Sequence, residues 1–234
     1  MKSPEPAPDY GYSNAESAHH HTYLLAPLLE LIQANSAPHK GYRILDLGCG
    51  NGSLTHTIAQ QGYDIVGVEA STQGMAIACQ NFPECRFIQA RIEDLPTPEL
   101  QNAFDLVISV EVIEHLLYPR ELLRVAKHCL KPGGTLILTT PYHGYLKNLL
   151  LAISGKMDQH FTALWDGGHV KFFSVASISK LLKEERFTNL HFKFAGRLPY
   201  LWKSMLCAGF LCSSIGECDS IGERAVTDDK HLTI

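Results

Sequence analysis

One run of ten residues constrains the fold of this 234-residue chain more than any other: Arg-Ile-Leu-Asp-Leu-Gly-Cys-Gly-Asn-Gly at positions 43–52. Its apolar half, over 43–47, predicts a buried parallel strand. The three alternating glycines predict a tight turn, because glycine adopts positive φ easily and has no Cβ to keep a ligand away. A helix is predicted next, over 53–61. Strand, glycine turn and helix together predict a nucleotide-binding cradle in an α/β sheet.

The spacing of the glycines and the acid before them indicate the kind of ligand. Gly48, Gly50 and Gly52 follow the pattern Gly-x-Gly-x-Gly, which is neither the dinucleotide Gly-x-Gly-x-x-Gly nor a phosphate loop with Gly-Lys-Ser/Thr. Asp46 precedes them with no lysine nearby, which favours a cationic or zwitterionic ligand over a polyphosphate. The segment 45–52 resembles motif I of the class I S-adenosylmethionine-dependent methyltransferases. That resemblance implies that S-adenosylmethionine contacts the following residues: Asp46, Gly48, Cys49, Gly50, Asn51 and Gly52.

The ribose of this cofactor is expected at the end of the second strand, predicted over 63–69. An acid in that position of an α/β unit accepts hydrogen bonds from ribose hydroxyls, and Glu69 stands there. The adjacent Ala70 is expected to contact the cofactor as well. Ser71 is predicted to cap a helix that ends near residue 81.

The adenine is expected beside the loop 91–96, which follows a third strand over 86–90. The family often has an aspartate where this chain has Arg91, so the resemblance is weaker here. The backbone N–H of Ile92 can still donate to the ring, and Glu93 or Asp94 can accept from the exocyclic amine. Val110, at the end of a fourth strand over 103–110, is the last expected cofactor contact.

The remaining pattern predicts a doubly wound, seven-stranded Rossmann-like sheet with helices on both faces. Strands one to five are expected to be parallel, with a turn at 131–134 before a fifth strand over 135–140. The sixth strand, over 190–194, and an antiparallel seventh strand over 204–211 would complete the sheet. Residues 16–212 are predicted to form a single domain that opens with a helix over 15–34. A flexible arm over 1–15 and a flexible tail over 213–234 are predicted to flank it.

Two acids and a histidine that follow the fourth strand are the candidates for chemistry. If a helix starts at Glu111, then Glu111, Glu114 and His115 share one face of its first turn, beside the cofactor's methyl group. Such a cluster suits a divalent cation with oxygen and nitrogen ligands. His169 could return from an acceptor lid over 141–170 as a fourth ligand.

The same cluster resembles two groups of methyltransferases. Ubiquinone-pathway O-methyltransferases resemble the chain over nearly its whole length. Small-RNA 3′-terminal 2′-O-methyltransferases resemble it at Glu-x-x-Glu-His and at a later histidine, and in those enzymes these residues bind magnesium. The resemblance thus implies metal binding by Glu111, Glu114, His115 and His169.

A reading without metal stays open. Glu-His after strand four is common in class I enzymes that need no metal, where the glutamate begins the helix and the histidine lines the pocket. His115 would then be the general base for an acceptor hydroxyl, with Glu114 beside it and His143 as the second candidate.

Composition narrows the partners. The net charge is −4 and the isoelectric point is about 6.3, and this bulk charge disfavours a nucleic-acid partner. Seven scattered cysteines without Cys-x-x-Cys predict reduced thiols and a cytoplasmic location. The apolar stretch 146–153 and the loop 200–202 could form an apolar pocket for the acceptor or touch a membrane surface, with Lys147 and Lys156 at the edge of this apolar surface.

Three functions are therefore considered. The first is O-methylation of a hydroxyl- or catechol-type small molecule, lipophilic and assisted by a divalent metal. The second is RNA 2′-O-methylation. The third is a non-catalytic protein that binds S-adenosylmethionine. The oligomeric state does not follow from the sequence.

Overall fold

The computed structural model describes residues 10–36, 41–161, 163–165, 167–196 and 198–212. Seven strands form one sheet in the order β3-β2-β1-β4-β5-β7-β6. Strands β1 to β5 pair in parallel, and β7 runs antiparallel to both β5 and β6. The strands are β1 (Arg43–Leu47), β2 (Asp64–Glu69), β3 (Arg86–Gln89), β4 (Phe104–Val110), β5 (Leu130–Pro141), β6 (Phe187–Ala195) and β7 (Ser204–Leu211). The predicted fold class is confirmed.

Helices cover both faces of this sheet. They are α1 (His21–Asn35), α2 (Ser53–Ala59), α3 (Thr72–Asn81), α4 (Pro119–Cys129), α5 (Tyr145–Ile153), α6 (Met157–Phe161) and α7 (Val175–Glu184). Two 3₁₀ turns, Ile92–Asp94 and Ile113–His115, follow β3 and β4. Successive strand residues point to opposite faces, so Leu45 and Leu47 enter the core beneath α4 and α7, while Ile44 enters the core beneath α1 and α2. The two apolar layers hold the central strands rigid between them.

Local sequence signals place several boundaries correctly. Strands β1 and β7 have the predicted limits. The Ser71 hydroxyl accepts a hydrogen bond from the Gly74 N–H at the start of α3. Ser174 and Ser177 form a reciprocal capping box at the start of α7.

Two local predictions are wrong. Helix α1 begins at His21, not at residue 15, because the chain before it is held by the Asn51 side chain, which donates to the carbonyls of Asn14 and Glu16. Those carbonyls accept bonds from a side chain where a helix would use its own N–H groups. The turn predicted at 131–134 lies inside β5, as an irregularity with Gly133 at φ 76° and a register shift opposite β4.

Among the described residues, one cysteine differs from expectation. Cys212 is disulfide-bonded, so the prediction of reduced thiols throughout is wrong for that residue. Five other cysteines are free thiols: Cys49, Cys79, Cys85, Cys129 and Cys207. Among the described residues, no helix is long and apolar enough to cross a membrane.

Two predicted segments fall partly or wholly outside the described residues. The tail over 213–234 lies outside them, as do residues 1–9 of the arm. Residues 10–15, the rest of that arm, lie against the glycine turn instead of extending from the domain, as described below.

Candidate functional site

A cavity of about 1400 Å³ opens at the carboxyl ends of the parallel strands. The strand order reverses between β1 and its neighbours β2 and β4, which is where open α/β sheets bind their ligands. Ten of the eleven expected cofactor contacts line it: Asp46, Gly48, Cys49, Gly50, Asn51, Glu69, Ala70, Ile92, Glu93 and Val110. Gly52 is not part of the lining. It begins α2 at φ 78°, and a Cβ there would lie 2.8 Å from both Ala78 and Phe87. Its role is therefore to let the turn pack against its neighbours.

Glu69 holds the glycine turn in shape. One of its carboxylate oxygens accepts the Gly50 N–H at 2.9 Å and the other accepts the Ser71 N–H at 2.7 Å. The N–H groups of Gly48 and Cys49 both donate to the Val68 carbonyl. An ionised carboxylate offers about four acceptor directions, so Glu69 retains capacity for two ribose hydroxyls.

Asp46 is a buried acid with one oxygen left over. The Thr55 hydroxyl donates to Oδ2 at 2.7 Å, whereas Oδ1 is buried and accepts no hydrogen bond from the described residues. Burial raises the pKa of Asp46 to about 7. A cationic group in the cavity would offset that cost and satisfy the free oxygen. This is the electrostatic environment that the sequence indicated for a zwitterionic ligand.

Residues 10–20, which we call the N-terminal strap, cross the mouth of the cofactor half of the cavity. A Cβ on Gly50 would meet the Tyr12 hydroxyl at 2.8 Å, so the tyrosine ring lies directly on the glycine turn. The Asn51 amide fixes the strap through its two bonds to strap carbonyls, each 2.9 Å long. Tyr10 places its ring edge-on to His115, with centroids 5.7 Å apart. Sequence reasoning missed both tyrosines; the only signal was an aromatic pair in an otherwise polar arm.

Glu111, Glu114 and His115 do not share the face of a helix, so that prediction is wrong. Glu111 has φ 54°, and only the short turn Ile113–His115 follows before the chain extends again. The positive φ turns the Glu111 side chain towards the sheet, where its carboxylate accepts hydrogen bonds from Thr139 at 2.8 Å and Ser204 at 3.2 Å. Glu111 lines the cavity but is not among the ligand atoms that converge.

Glu114, His115 and His169 do converge, and we call them the acid–histidine cluster. One ligand atom from each lies within 4.8 Å of the other two. The predicted return of His169 from the lid segment is explained by the backbone, because the Glu114 carbonyl accepts from the N–H groups of Val170 at 2.8 Å and Lys171 at 3.0 Å. Glu114 itself does not line the cavity, while His115 and His169 do.

The proton on His115 is positioned by the lid segment. Its Nδ1 lies 2.8 Å from the Gly167 carbonyl and 3.2 Å from the Gly168 carbonyl. Carbonyl oxygens only accept, so Nδ1 carries the proton and Nε2 keeps its lone pair. That lone pair is available to a cation or to a proton from an acceptor.

The cluster combines neutral histidines with a carboxyl group that is only weakly hydrogen-bonded, since the nearby Thr140 hydroxyl and the Glu114 backbone lower its pKa only in part. Both Glu114 oxygens are buried and make no well-formed hydrogen bond with the described residues. Burial, and then the nearby Glu111 carboxylate, raise the pKa of Glu114 well above its ordinary value. Burial lowers the pKa of His115, and it lowers the pKa of His169 to about 4. A bound cation would offset the raised pKa of Glu114 and would be compatible with the lowered pKa values of the histidines, because it favours an ionised acid and neutral imidazoles.

His143, the second candidate base, lines the far end of the cavity. Its ring lies 5.0 Å from that of Phe172 and 5.9 Å from that of Phe161, and burial lowers its pKa to about 4. Lys147 points back towards Glu111 and donates to the Tyr142 carbonyl at 2.8 Å. Burial lowers the pKa of Lys147 to about 8. This half of the cavity is aromatic and His143 is neutral near pH 7, which suits an apolar guest, while Lys147 still carries a positive charge at its edge.

Comparisons with known proteins agree with this geometry. A family model described as a methyltransferase domain matches residues 17–191. A ubiquinone biosynthesis O-methyltransferase from Caulobacter sp. (strain K31) is 36% identical over 122 residues, which are 50% of this chain and 48% of the relative. The chain spans about half the length of the curated relatives it matches.

Solved structures share the fold at low identity. Haemonchus contortus phosphoethanolamine N-methyltransferase 2 in complex with S-adenosyl-L-methionine has a TM-score of 0.59 and 16% identity over 79% of this chain and 52% of that one. The [4+2]-cyclase SpnF has a TM-score of 0.62 and 17% identity over 80% of this chain and 81% of that one. The same architecture therefore carries more than one chemistry, and only the site can indicate which.

Proposed function

The chain belongs to the class I S-adenosylmethionine-dependent methyltransferases, and from this membership we propose that it methylates a hydroxyl oxygen of a lipophilic phenol or catechol with the help of a divalent metal. The observation that carries the proposal is the convergence of the buried Glu114 carboxyl group, whose oxygens make no well-formed hydrogen bond with the described residues, with the imidazoles of His115 and His169.

The cofactor half of the cavity supports the first part. Asp46 offers a free buried oxygen to an ammonium group, and Glu69 offers acceptor capacity to a ribose. The glycine turn exposes backbone between them without a Cβ. Tyr12 lies over the turn and would shield a bound cofactor from water.

The donor set of the acid–histidine cluster fits a divalent ion of the Mg²⁺, Mn²⁺, Fe²⁺ or Zn²⁺ type, with one carboxylate and two imidazoles as ligands. Glu114, His115 and His169 would hold it, and Glu111 would add negative charge from behind. When bound, such an ion polarises the acceptor oxygen and lowers its pKa. We therefore propose a three-residue ligand set, with Glu111 as a support for the turn.

The chain's own residues would align the acceptor and keep its proton path short. Methyl transfer is an in-line displacement at a sulfonium, so alignment and deprotonation are what the protein must supply. His115 Nε2 faces the cavity with a free lone pair and can take the acceptor's proton where no metal is bound. Tyr10 stacks edge-on to that ring and limits its rotation.

The lid segment supports a lipophilic acceptor and peripheral membrane contact. Helix α5 exposes large apolar side chains, and the loop before β7 exposes others: Tyr145, Leu146, Leu149, Leu150, Ile153, Leu198 and Tyr200. An exposed apolar surface of this kind is characteristic of an interaction site. Both segments adjoin the aromatic end of the cavity through His143 and Lys147. We propose that the protein works in the cytoplasm, at a membrane surface that delivers the acceptor.

Transfer of labelled methyl groups tests the proposal. We would offer a polyprenylated catechol, the same catechol without its chain, and total RNA, each with EDTA and after readdition of Mg²⁺ or Mn²⁺. The proposal predicts label in the polyprenylated catechol, lost with EDTA and restored by metal. His169→Ala should abolish the transfer that metal restores. His128→Ala, on the exposed surface of α4, should leave that transfer intact.

Other outcomes would overturn the proposal in defined ways. Methyl transfer that EDTA does not affect would exclude a role for the metal and leave His115 as the general base. Label in RNA alone would favour a 2′-O-methyltransferase. Cofactor binding without transfer to any of the three acceptors would refute the proposed reaction.

A further inference from the structure

A second group of metal-type ligands lies outside the cavity, beyond the glycine turn along α2. His56 projects from α2, and Glu84 and Cys85 follow α3. One ligand atom from each lies within 4.8 Å of the other two. None of the three lines the cofactor cavity. The group therefore needs an explanation separate from methyl transfer.

Local packing brings the three side chains together. The chain after α3 forms a tight turn, in which the Cys85 N–H donates to the Phe82 carbonyl at 3.0 Å and Pro83 occupies the second position. The Phe82 ring stacks on the His56 imidazole with centroids 4.4 Å apart and an interplanar angle of 18°. The turn thus presents Glu84 and Cys85 to an imidazole that is already oriented.

The contact between His56 and Glu84 is not an ordinary hydrogen bond. Glu84 Oε1 lies 2.7 Å from His56 Nδ1, but the geometry does not satisfy a ring N–H donor, and Nδ1 is buried without a hydrogen bond to any described residue. The two groups can form an ion pair when the imidazole is protonated, and with a neutral imidazole a metal cation between the nitrogen and the oxygen would satisfy both lone pairs. Cys85, a free thiol, stands beside that position.

We propose that His56, Glu84 and Cys85 bind a borderline divalent cation, Zn²⁺ in particular. One nitrogen, one oxygen and one sulfur ligand suit zinc, and thiolate disfavours Mg²⁺ and Ca²⁺. Ligand atoms in a tetrahedral zinc site lie about 3.3–3.8 Å apart. The His56–Glu84 pair, at 2.7 Å, would therefore open by roughly 0.6 Å, and any separation near the 4.8 Å limit would close by roughly 1 Å, with water as the fourth ligand. Both turn side chains are at least partly exposed and free to make that movement.

Binding would release the Cys85 proton to solvent and replace it with a sulfur–metal bond, with no change of oxidation state. Burial and the Glu84 carboxylate both oppose formation of the thiolate, and the cation cancels both effects. The ion would connect the turn after α3 to α2, the helix that carries the glycine turn at its N-terminus. It would therefore stabilise the scaffold behind the cofactor site and take no part in the reaction.

Titration of the full-length protein with Co²⁺ tests this site independently of activity. A thiolate ligand gives Co²⁺ a near-ultraviolet charge-transfer band, and the acid–histidine cluster has no sulfur with which to produce one. We expect one Co²⁺ per chain to produce the band, and Zn²⁺ to displace it. Cys85→Ser should abolish the band, whereas Cys79→Ser, at another exposed free thiol, should leave it unchanged.

His56→Gln provides a second variant that keeps the thiol. It should retain a band but require at least tenfold more Co²⁺, since one ligand is replaced by a weaker one. No band in the wild-type protein at saturating Co²⁺, or an equal band in Cys85→Ser, would overturn the proposal. Neither result would bear on methyl transfer, which is measured separately.

Discussion

Replacement of Glu114 by glutamine removes the charge from the acid–histidine cluster while keeping the shape of the side chain. Because burial raises the pKa of Glu114 above its ordinary 4.5, the folded protein holds a proton there at pH values at which the unfolded chain has released it. The free energy of unfolding of the metal-free wild type should therefore fall as the pH rises above about 4.5. In Glu114→Gln this contribution is absent.

The size of the effect follows from proton counting. One proton bound only by the folded state changes the free energy of unfolding by up to about 1.4 kcal/mol per pH unit. Between pH 5 and pH 7 the variant should therefore lose about 2–3 kcal/mol less than the wild type. Glu111 keeps its own contribution in both proteins, since burial raises its pKa from 4.5 to about 7, equivalent to about 2 kcal/mol between pH 5 and pH 7. The variant should be less sensitive to pH, but not insensitive.

Urea unfolding at pH 5 and pH 7, with EDTA, measures the difference. Glu99→Gln is the matched control, because Glu99 lies on the surface and pairs with Arg86. Addition of Mg²⁺ or Mn²⁺ at 100 times its dissociation constant should then stabilise the wild type at pH 7 by about 2.7 kcal/mol and leave Glu114→Gln unchanged. Equal pH dependence in wild type and variant would refute the argument for a buried, protonated Glu114, and equal stabilisation by metal would refute its role as a ligand.

Three further perturbations test other parts of the site. Asn51→Ala removes two hydrogen bonds to the N-terminal strap and should weaken S-adenosylmethionine binding by up to about 2 kcal/mol, roughly 30-fold by calorimetry, whereas Asn81→Ala should not. Gly62→Ala should lower the free energy of unfolding by about 1–2 kcal/mol, through its φ of 90° alone, and keep the affinity for S-adenosylmethionine. Gly48→Ala, at φ 85° and with a Cβ 2.5 Å from Val112, should lower the free energy of unfolding by about 1–3 kcal/mol more and lose that affinity. Because burial lowers the pKa of His115 below 6.5, kcat/KM should be constant from pH 7 to 8 and fall only below about 6.5; an acid limb centred above pH 7 would contradict a neutral His115.

The cofactor half of the site could be predicted from sequence because its signals are local. Motif I encodes a strand, a turn and a helix within about twenty residues, and each glycine has a conformational reason to be there. The position of Glu69 at the end of β2 could be predicted because the apolar run of the strand indicates where the strand ends. The Ser71 cap of α3 is local in the same sense, and its prediction is confirmed; the capping box of α7 depends on residues that are equally close in sequence.

The N-terminal strap and the acid–histidine cluster could not be predicted in the same way, because they depend on contacts between distant parts of the chain. Tyr12 is positioned by its contact with Gly50 and Tyr10 by its contact with His115, and no pattern within residues 10–15 predicts either contact. The helix predicted at Glu111 fails because Thr139 and Ser204, 28 and 93 residues away, bind its carboxylate and favour a positive φ. The position of His169 follows from two backbone bonds to Glu114.

The two acids after β4 consequently differ in what they can do, although the sequence presents them as equivalent. Glu111 is bonded to β5 through Thr139 and to β7 through Ser204, so it fixes where the chain leaves the sheet. Glu114 lies beyond that fixed point with no well-formed hydrogen bond between its carboxyl group and the described residues, and its backbone carbonyl instead anchors the lid segment. Loss of Glu111 should therefore misplace the cluster as a whole, whereas loss of Glu114 removes one ligand from a cluster still in place. A buried carboxyl group whose nearby donors, Thr140 and its own backbone, bond it poorly is costly to ionise, and a bound cation would offset that cost.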